Sequence, residues 1–184
     1  RALREALPRD AALLVDSGAH RAFAGHHIPV LEPRRFFSAT GLGPMGWALG
    51  AAAGVASALP GTPVAVVTGD GCMLQNGLEL ATAARYRLPI LFVVINNAAL
   101  GNVYLRARKM GPGPEEFTVL RANDWAAFAE SLGVRGVTVR SPAELAPAFD
   151  AFVQGQGPML VDAICGRDFS TPIEAWSHAL AEPN

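Results

Sequence analysis

The chain has 184 residues, enough for one domain with a sizeable core. Apolar residues make up 51% and charged residues only 17%, which points to extensive burial, a partner interface included. The net charge of −1 does not suggest nucleic acid or an anionic membrane surface as a partner. Cys72 and Cys165 make no metal or redox spacing, so a reducing, cytoplasmic compartment is the default expectation. The longest apolar stretch, Met45 to Leu59, is too short to span a bilayer. The start, Arg-Ala-Leu-Arg-Glu-Ala-Leu-Pro, is charged and helical in pattern and does not resemble a secretory leader. An initial Arg in place of Met fits an excised domain or a processed subunit.

Apolar runs alternate with helical patterns along the chain. That alternation predicts βα units and an open parallel sheet with helices on both faces. Strands are expected near Ala12–Asp16, Arg35–Ser38, Val64–Thr68, Ile90–Asn96, Val134–Val139 and Met159–Ile164. Helices are expected near Met45–Leu59, Gln75–Arg87, Asp124–Leu132 and Pro142–Gln154. Ser141 before Pro142 reads as a helix cap, and Asn123 can cap the helix at Asp124. The strands near 64–68 and 90–95 are apolar on both faces and should be central. Gly46, Gly50, Gly54 and several alanines in the Met45–Leu59 helix permit close backbone approach. The stretch Ala98–Ala122 reads as a long loop, with Gly111-Pro-Gly-Pro114 and a basic cluster of Arg106, Arg108 and Lys109. That cluster reads first as a solvated face and second as a partner for a substrate carboxylate.

Chemistry concentrates at two strand ends. Val64–Thr68 runs into Gly69-Asp70-Gly71, and Ile90–Ile95 runs into Asn96-Asn97. One carboxylate and one amide oxygen thus reach the same edge of a parallel sheet, where open α/β sheets bind ligands. Flanking glycines let the backbone come close to a phosphate, and a helix from about Gln75 turns its positive end toward the anion. Two hard oxygens beside a glycine-lined helix start suit Mg²⁺ and a diphosphate.

A second glycine motif, Gly41-Leu-Gly43-Pro-Met-Gly46, matches the dinucleotide fingerprint, which would make the chain an NAD(P)-dependent dehydrogenase with Asp70 on the ribose. Its preceding strand is short and poor, a complete βα unit comes before it, and a ribose-binding acid needs no glycine on both sides.

Gly-Asp-Gly, 24 intervening residues and Asn-Asn resemble the thiamine diphosphate (ThDP) enzymes. Three segments are similar to the acetolactate synthase and 2-oxoacid decarboxylase branch of that family. They are Asp16-Ser-Gly-Ala-His20, Thr40-Gly-Leu-Gly-Pro-Met-Gly-Trp-Ala-Leu-Gly-Ala-Ala52 and Glu79-Leu-Ala-Thr-Ala-Ala-Arg-Tyr-Arg-Leu-Pro89. The resemblance covers nearly the whole chain. It implies a ThDP-binding fold of the diphosphate-binding type, with residues 1–184 forming a single domain that binds ThDP and Mg²⁺.

The resemblance also implies roles. Asp70 and Asn97 would bind Mg²⁺ by side chain and Ala99 by its carbonyl. Gly69 belongs to the same loop, and Gly71 and Cys72 would offer amides to the diphosphate. The family often has Ser where Cys72 stands. Gly18, Ala19 and His20 would flank the diphosphate, and the family commonly has Gln at the position of Ala19. The Gly43 carbonyl would accept from the aminopyrimidine amine, and Met45 would be the apolar wedge that bends the cofactor. Glu79 reads as a surface or interface carboxylate, and His26, His27 and His178 read as ordinary histidines.

In that family the glutamate that activates the cofactor comes from a pyrimidine-binding domain, usually on another subunit, and no such domain is found in this chain. The expected partner is therefore the rest of a longer polypeptide or a separate chain, in an oligomer. With it, the expected activity is decarboxylation of a small 2-oxo acid, with or without carboligation. A ThDP-fold module that has lost catalysis and serves as a binding or regulatory subunit is the alternative.

Overall fold

The computed structural model describes residues 1–172. His178 lies outside the described residues. Six parallel strands form one sheet: β1 (Ala12–Val15), β2 (Phe36–Phe37), β3 (Val64–Gly69), β4 (Ile90–Asn96), β5 (Arg135–Val139) and β6 (Met159–Ile164). Their order is β2-β1-β3-β4-β6-β5. β3 and β4 are central, as their two-sided apolar character requires. Every residue of β3 is buried, and within β4 only Ile95 falls short.

Alternate side chains of each strand feed two cores. Leu14, Val66, Phe92 and Leu160 face one side. There they pack with the helices α3 (Trp47–Ala58), α5 (Leu80–Arg85) and α7 (Trp125–Ser131). Leu13, Val67, Val93 and Val161 face the other, under α1 (Ala2–Ala6), α2 (Ala19–His27) and α8 (Leu145–Val153). Full burial of a side chain such as Phe92 contributes about 1.5–3 kcal/mol. Ala48, Ala52 and Ala56 recur along the buried face of α3, where small side chains bring the helix close to the sheet.

Several local expectations are corrected. The helix after Gly-Asp-Gly does not wait for Gln75. It is α4 (Asp70–Asn76), continued by a 3₁₀ turn (Gly77–Glu79) into α5. Asp124, not Asn123, caps α7, its carboxylate accepting from the Ala127 amide at 2.8 Å. Ser141 makes no cap bond to the backbone; its hydroxyl donates to Glu144 Oε1 at 2.7 Å. The supposed long loop holds α6 (Gly101–Arg108) and a 3₁₀ turn (Pro114–Thr118). An antiparallel bridge between Ala99 and Val119 closes this excursion at its base.

The register places the site. Gly69 pairs with Ile95 and Ile95 with Ala163, so β3, β4 and β6 end side by side. Asp70 and Asn97 emerge there.

Candidate functional site

Gly69 is extended (φ −137°, ψ 171°), and Asp70 is the first residue of α4. This puts the Asp70 carboxylate at the strand end, only 2% exposed. Its Oδ2 accepts from the Ala99 amide at 3.2 Å, and Asn97 Oδ1 accepts from the same amide at 3.2 Å. The two side chains therefore meet over one N–H. Asp70 Oδ1 is buried without a partner, the one carboxylate oxygen in that state among the described residues. Burial pushes the Asp70 carboxyl up to about 6, against the backbone amides that favour its charged form. A buried oxygen with free lone pairs, beside an amide oxygen at the mouth of a cavity, fits a hard cation. Among the described residues no three His, Cys, Asp or Glu side chains gather as a metal site, so a cation here would rely on one carboxylate, an amide and a carbonyl.

Ala98 holds the turn between Asn97 and Ala99 in the left-handed region (φ +51°). Arg167 braces it, Nε donating to the Asn97 carbonyl at 3.1 Å. The Asn-Asn pair divides its labour. Asn96 is structural, its Nδ2 donating to Asp162 Oδ1 at 2.9 Å and to the Asn123 carbonyl at 3.1 Å. Asp162 Oδ2 also accepts from the Trp125 amide at 3.2 Å, which ties β6, β4 and the start of α7 together.

The glycines make room for specific neighbours. A Cβ on Gly71 would stand 2.5 Å from Leu100 Cδ2 and 3.7 Å from Met45 Sδ. A Cβ on Gly18 or Gly69 would stand 2.5 or 3.2 Å from the His20 ring, so the imidazole lies against both backbones. Burial lowers the His20 pKa to about 4, which leaves the ring neutral at neutral pH, and its Nε2 is buried without a partner. The Cys72 thiol reaches the Ser17 carbonyl at 3.3 Å. Burial pushes that thiol up to about 11, so it stays protonated as a donor.

Many of these groups line one cavity of about 690 Å³. Of the residues expected at the site, Gly18, Ala19, His20, Met45, Gly69, Asp70, Gly71, Cys72, Asn97 and Ala99 all line it. Gly43 does not line it; a Cβ there would be 3.6 Å from Oγ of Ser17, a residue that does. The dinucleotide alternative finds no support. Its loop follows a two-residue edge strand, and Asp70 Oδ2 is already taken by the Ala99 amide. Glu79 is exposed, as expected of a surface carboxylate. Arg106, Arg108 and Lys109 are exposed on and after α6, and Arg108 pairs with Asp168 at 2.5 Å. His27 lines the cavity and stacks on Phe23, ring centroids 6.3 Å apart, which its spacing in sequence did not signal.

Sequence reasoning missed Leu100, Arg167 and the buried Asp162. A leucine after the ligand loop, an arginine past the last strand and an acid within β6 carry no motif. Only the polar Asp162 inside an otherwise apolar strand was a possible signal.

Residues 16–163 match the family model for the C-terminal TPP (thiamine diphosphate) binding domain of thiamine pyrophosphate enzymes. The chain is 34% identical over 92% of its length to YdaP, a thiamine pyrophosphate-containing protein of Bacillus subtilis, of which it covers 29%. It is 39% identical over 74% of its length to acetolactate synthase isozyme 3 large subunit of Escherichia coli, of which it covers 24%. The fold matches that of a thiamine diphosphate-dependent 4-hydroxybenzoylformate decarboxylase of Rhodococcus jostii with a TM-score of 0.81 and 24% identity, across 92% of this chain and 32% of that one. The chain thus spans about a quarter to a third of these relatives. It belongs to the thiamine pyrophosphate enzyme family, as a C-terminal TPP-binding domain.

Proposed function

We propose that this chain is the ThDP- and Mg²⁺-binding part of an enzyme that decarboxylates a 2-oxo acid, with or without carboligation. The observation that carries this reading is the partnerless buried Asp70 Oδ1 beside Asn97 Oδ1 at the end of two central strands. Asp70, Asn97 and the Ala99 carbonyl would hold Mg²⁺. The amides of Gly71 and Cys72, at the first turn of α4, would receive the diphosphate. Gly18, Ala19 and His20 would flank it, with a neutral His20 ring contributing no charge. Gly43 and Met45 would seat the pyrimidine end. When bound, ThDP supplies the electron sink for loss of CO₂ from a 2-oxo acid. This chain's own residues bind and orient the cofactor and exclude water from an apolar cavity.

Activity requires a partner bearing a pyrimidine-binding domain and its activating glutamate, as a further part of the chain or as another subunit, in the cytoplasm. Support comes from the share of its relatives that the chain covers, and from the exposed Leu42 (93%) on the Gly41–Gly46 loop and Leu74 (55%) and Leu78 (71%) on α4 and the 3₁₀ turn after it. Among the described residues no helix is long and apolar enough to cross a membrane. The test is consumption of 2-oxo acids such as pyruvate by the protein with its pyrimidine-domain partner, ThDP and Mg²⁺. Turnover supports the enzyme. ThDP binding without turnover favours a regulatory module, which the departures at Ala19 and Cys72 would suit.

A further inference from the structure

Asp16 directly follows β1, the strand neighbouring β3, and is 1% exposed. Its Oδ1 accepts from the amides of Ser17 at 2.9 Å and Gly46 at 3.0 Å, and its Oδ2 accepts from Thr68 Oγ1 at 3.1 Å. No Lys, Arg or His forms an ion pair with it among the described residues. A buried acid without a cation is costly to keep, and three hydrogen bonds offset that cost only because they converge on it.

Their partners are informative. Gly46 directly follows Met45, and its left-handed backbone (φ +82°) starts α3. The Gly46 amide is tied to Asp16, while its carbonyl accepts from Asn76 Nδ2 at 3.1 Å. Asn76 ends α4, the helix that Asp70 and Gly71 begin. A Cβ on Gly46 would stand 2.9 Å from Asn76 Nδ2, so only glycine admits this clamp. Both peptide units of Gly46 are therefore held, one to the end of β1 and one to the end of α4.

We propose that Asp16 is a positioning residue: with Asn76 it fixes the Gly43–Gly46 loop against α4, and so sets the distance between the pyrimidine seat and the diphosphate seat. This rests on the ThDP reading of the site. It goes beyond that reading by assigning the alignment of the two seats to a carboxylate that touches neither half of the cofactor.

The test compares two ligands on the full-length protein by titration calorimetry in saturating Mg²⁺. ThDP needs both seats, whereas inorganic pyrophosphate needs only the one at Asp70 and Gly71. Asp16→Ala should weaken ThDP binding about tenfold or more and change pyrophosphate binding less than about twofold. Asp16→Asn keeps a carbonyl oxygen for the Ser17 and Gly46 amides and offers its amide to the Thr68 hydroxyl, so it should stay within about threefold of wild type for both ligands. If Asp16→Ala does not fold, Asn76→Ala must show the same selective loss. Equal loss of both ligands, or no loss of either, would overturn the positioning role. A wild-type protein that fails to bind ThDP would overturn the underlying reading instead.

Discussion

Asp70 accepts the Ala99 amide through Oδ2 at 3.2 Å while its Oδ1 is buried with no partner. One half of the carboxylate is thus used by the fold, and the other half is buried unpaired. The cost falls on the cofactor-free protein.

That cost gives a pH signature. With its carboxyl raised to about 6 from an ordinary value of 3.8, folded Asp70 holds its proton more tightly than the unfolded chain does. Its contribution to stability is therefore present at low pH and lost as pH rises from about 4 through 6. Asp70→Asn removes this titration and should be more stable than wild type at pH 7 by about 1–3 kcal/mol in the absence of cofactor. The gap should shrink as pH falls from 6 to 4. Urea denaturation of both proteins across that range checks it. A gap independent of pH would contradict the assignment.

Gly136 gives a purely structural contrast. A Cβ there would stand 2.2 Å from the Ala126 carbonyl oxygen, a backbone atom of α7 that cannot swing away. Gly136→Ala should cost about 2–4 kcal/mol by forcing α7 off β5. Denaturation midpoints should fall accordingly, with ThDP affinity of the still-folded fraction unchanged.

The Asn96–Asp162 pair supports Asn97 from behind. Asp162→Ala leaves the Trp125 amide without its acceptor and removes one of the two acceptors of Asn96 Nδ2. It should cost about 1–3 kcal/mol. Because Asn96 adjoins Asn97, proposed above to bind the metal, Mg²⁺ affinity, read by calorimetry, should fall as well. Loss of stability with an unchanged Mg²⁺ affinity would show that Asp162 serves the fold alone.

Ala98 carries the turn between Asn97 and Ala99, two of the three expected ligands, at φ +51°. Ala98→Val puts a β-branched residue where the left-handed backbone excludes it and should cost about 1–2 kcal/mol, whereas Ala98→Gly should be near neutral. Melting temperatures of the two variants check the order.

The parts of this site that were legible in the sequence are those where polarity interrupts a buried strand. β3 and β4 are apolar on both faces, so Asp70 and Asn97 mark their ends without ambiguity. The start of α4 was misplaced because Gly71 in its first turn reads as loop, although burial against Leu100 and Met45 holds it helical. α6 was missed because only Ala107 of it is buried, which leaves no apolar stripe. α2 was missed for the same reason, with only Ala24 buried. Asp16 was visible as part of a motif, but nothing in the sequence tells that Gly46, 30 residues away, donates to it. Contacts that join distant loops depend on topology, and the order β2-β1-β3 supplies the one that matters here.

If Asp70 holds the cation that secures the diphosphate, calorimetric titration of ThDP with and without Mg²⁺, for wild type and Asp70→Ala, will show it. Wild type should bind ThDP only with Mg²⁺, and Asp70→Ala should lose about 100-fold or more in affinity, for removal of a charged ligand to the metal. Binding of equal strength with and without Mg²⁺, or unchanged in Asp70→Ala, would contradict it.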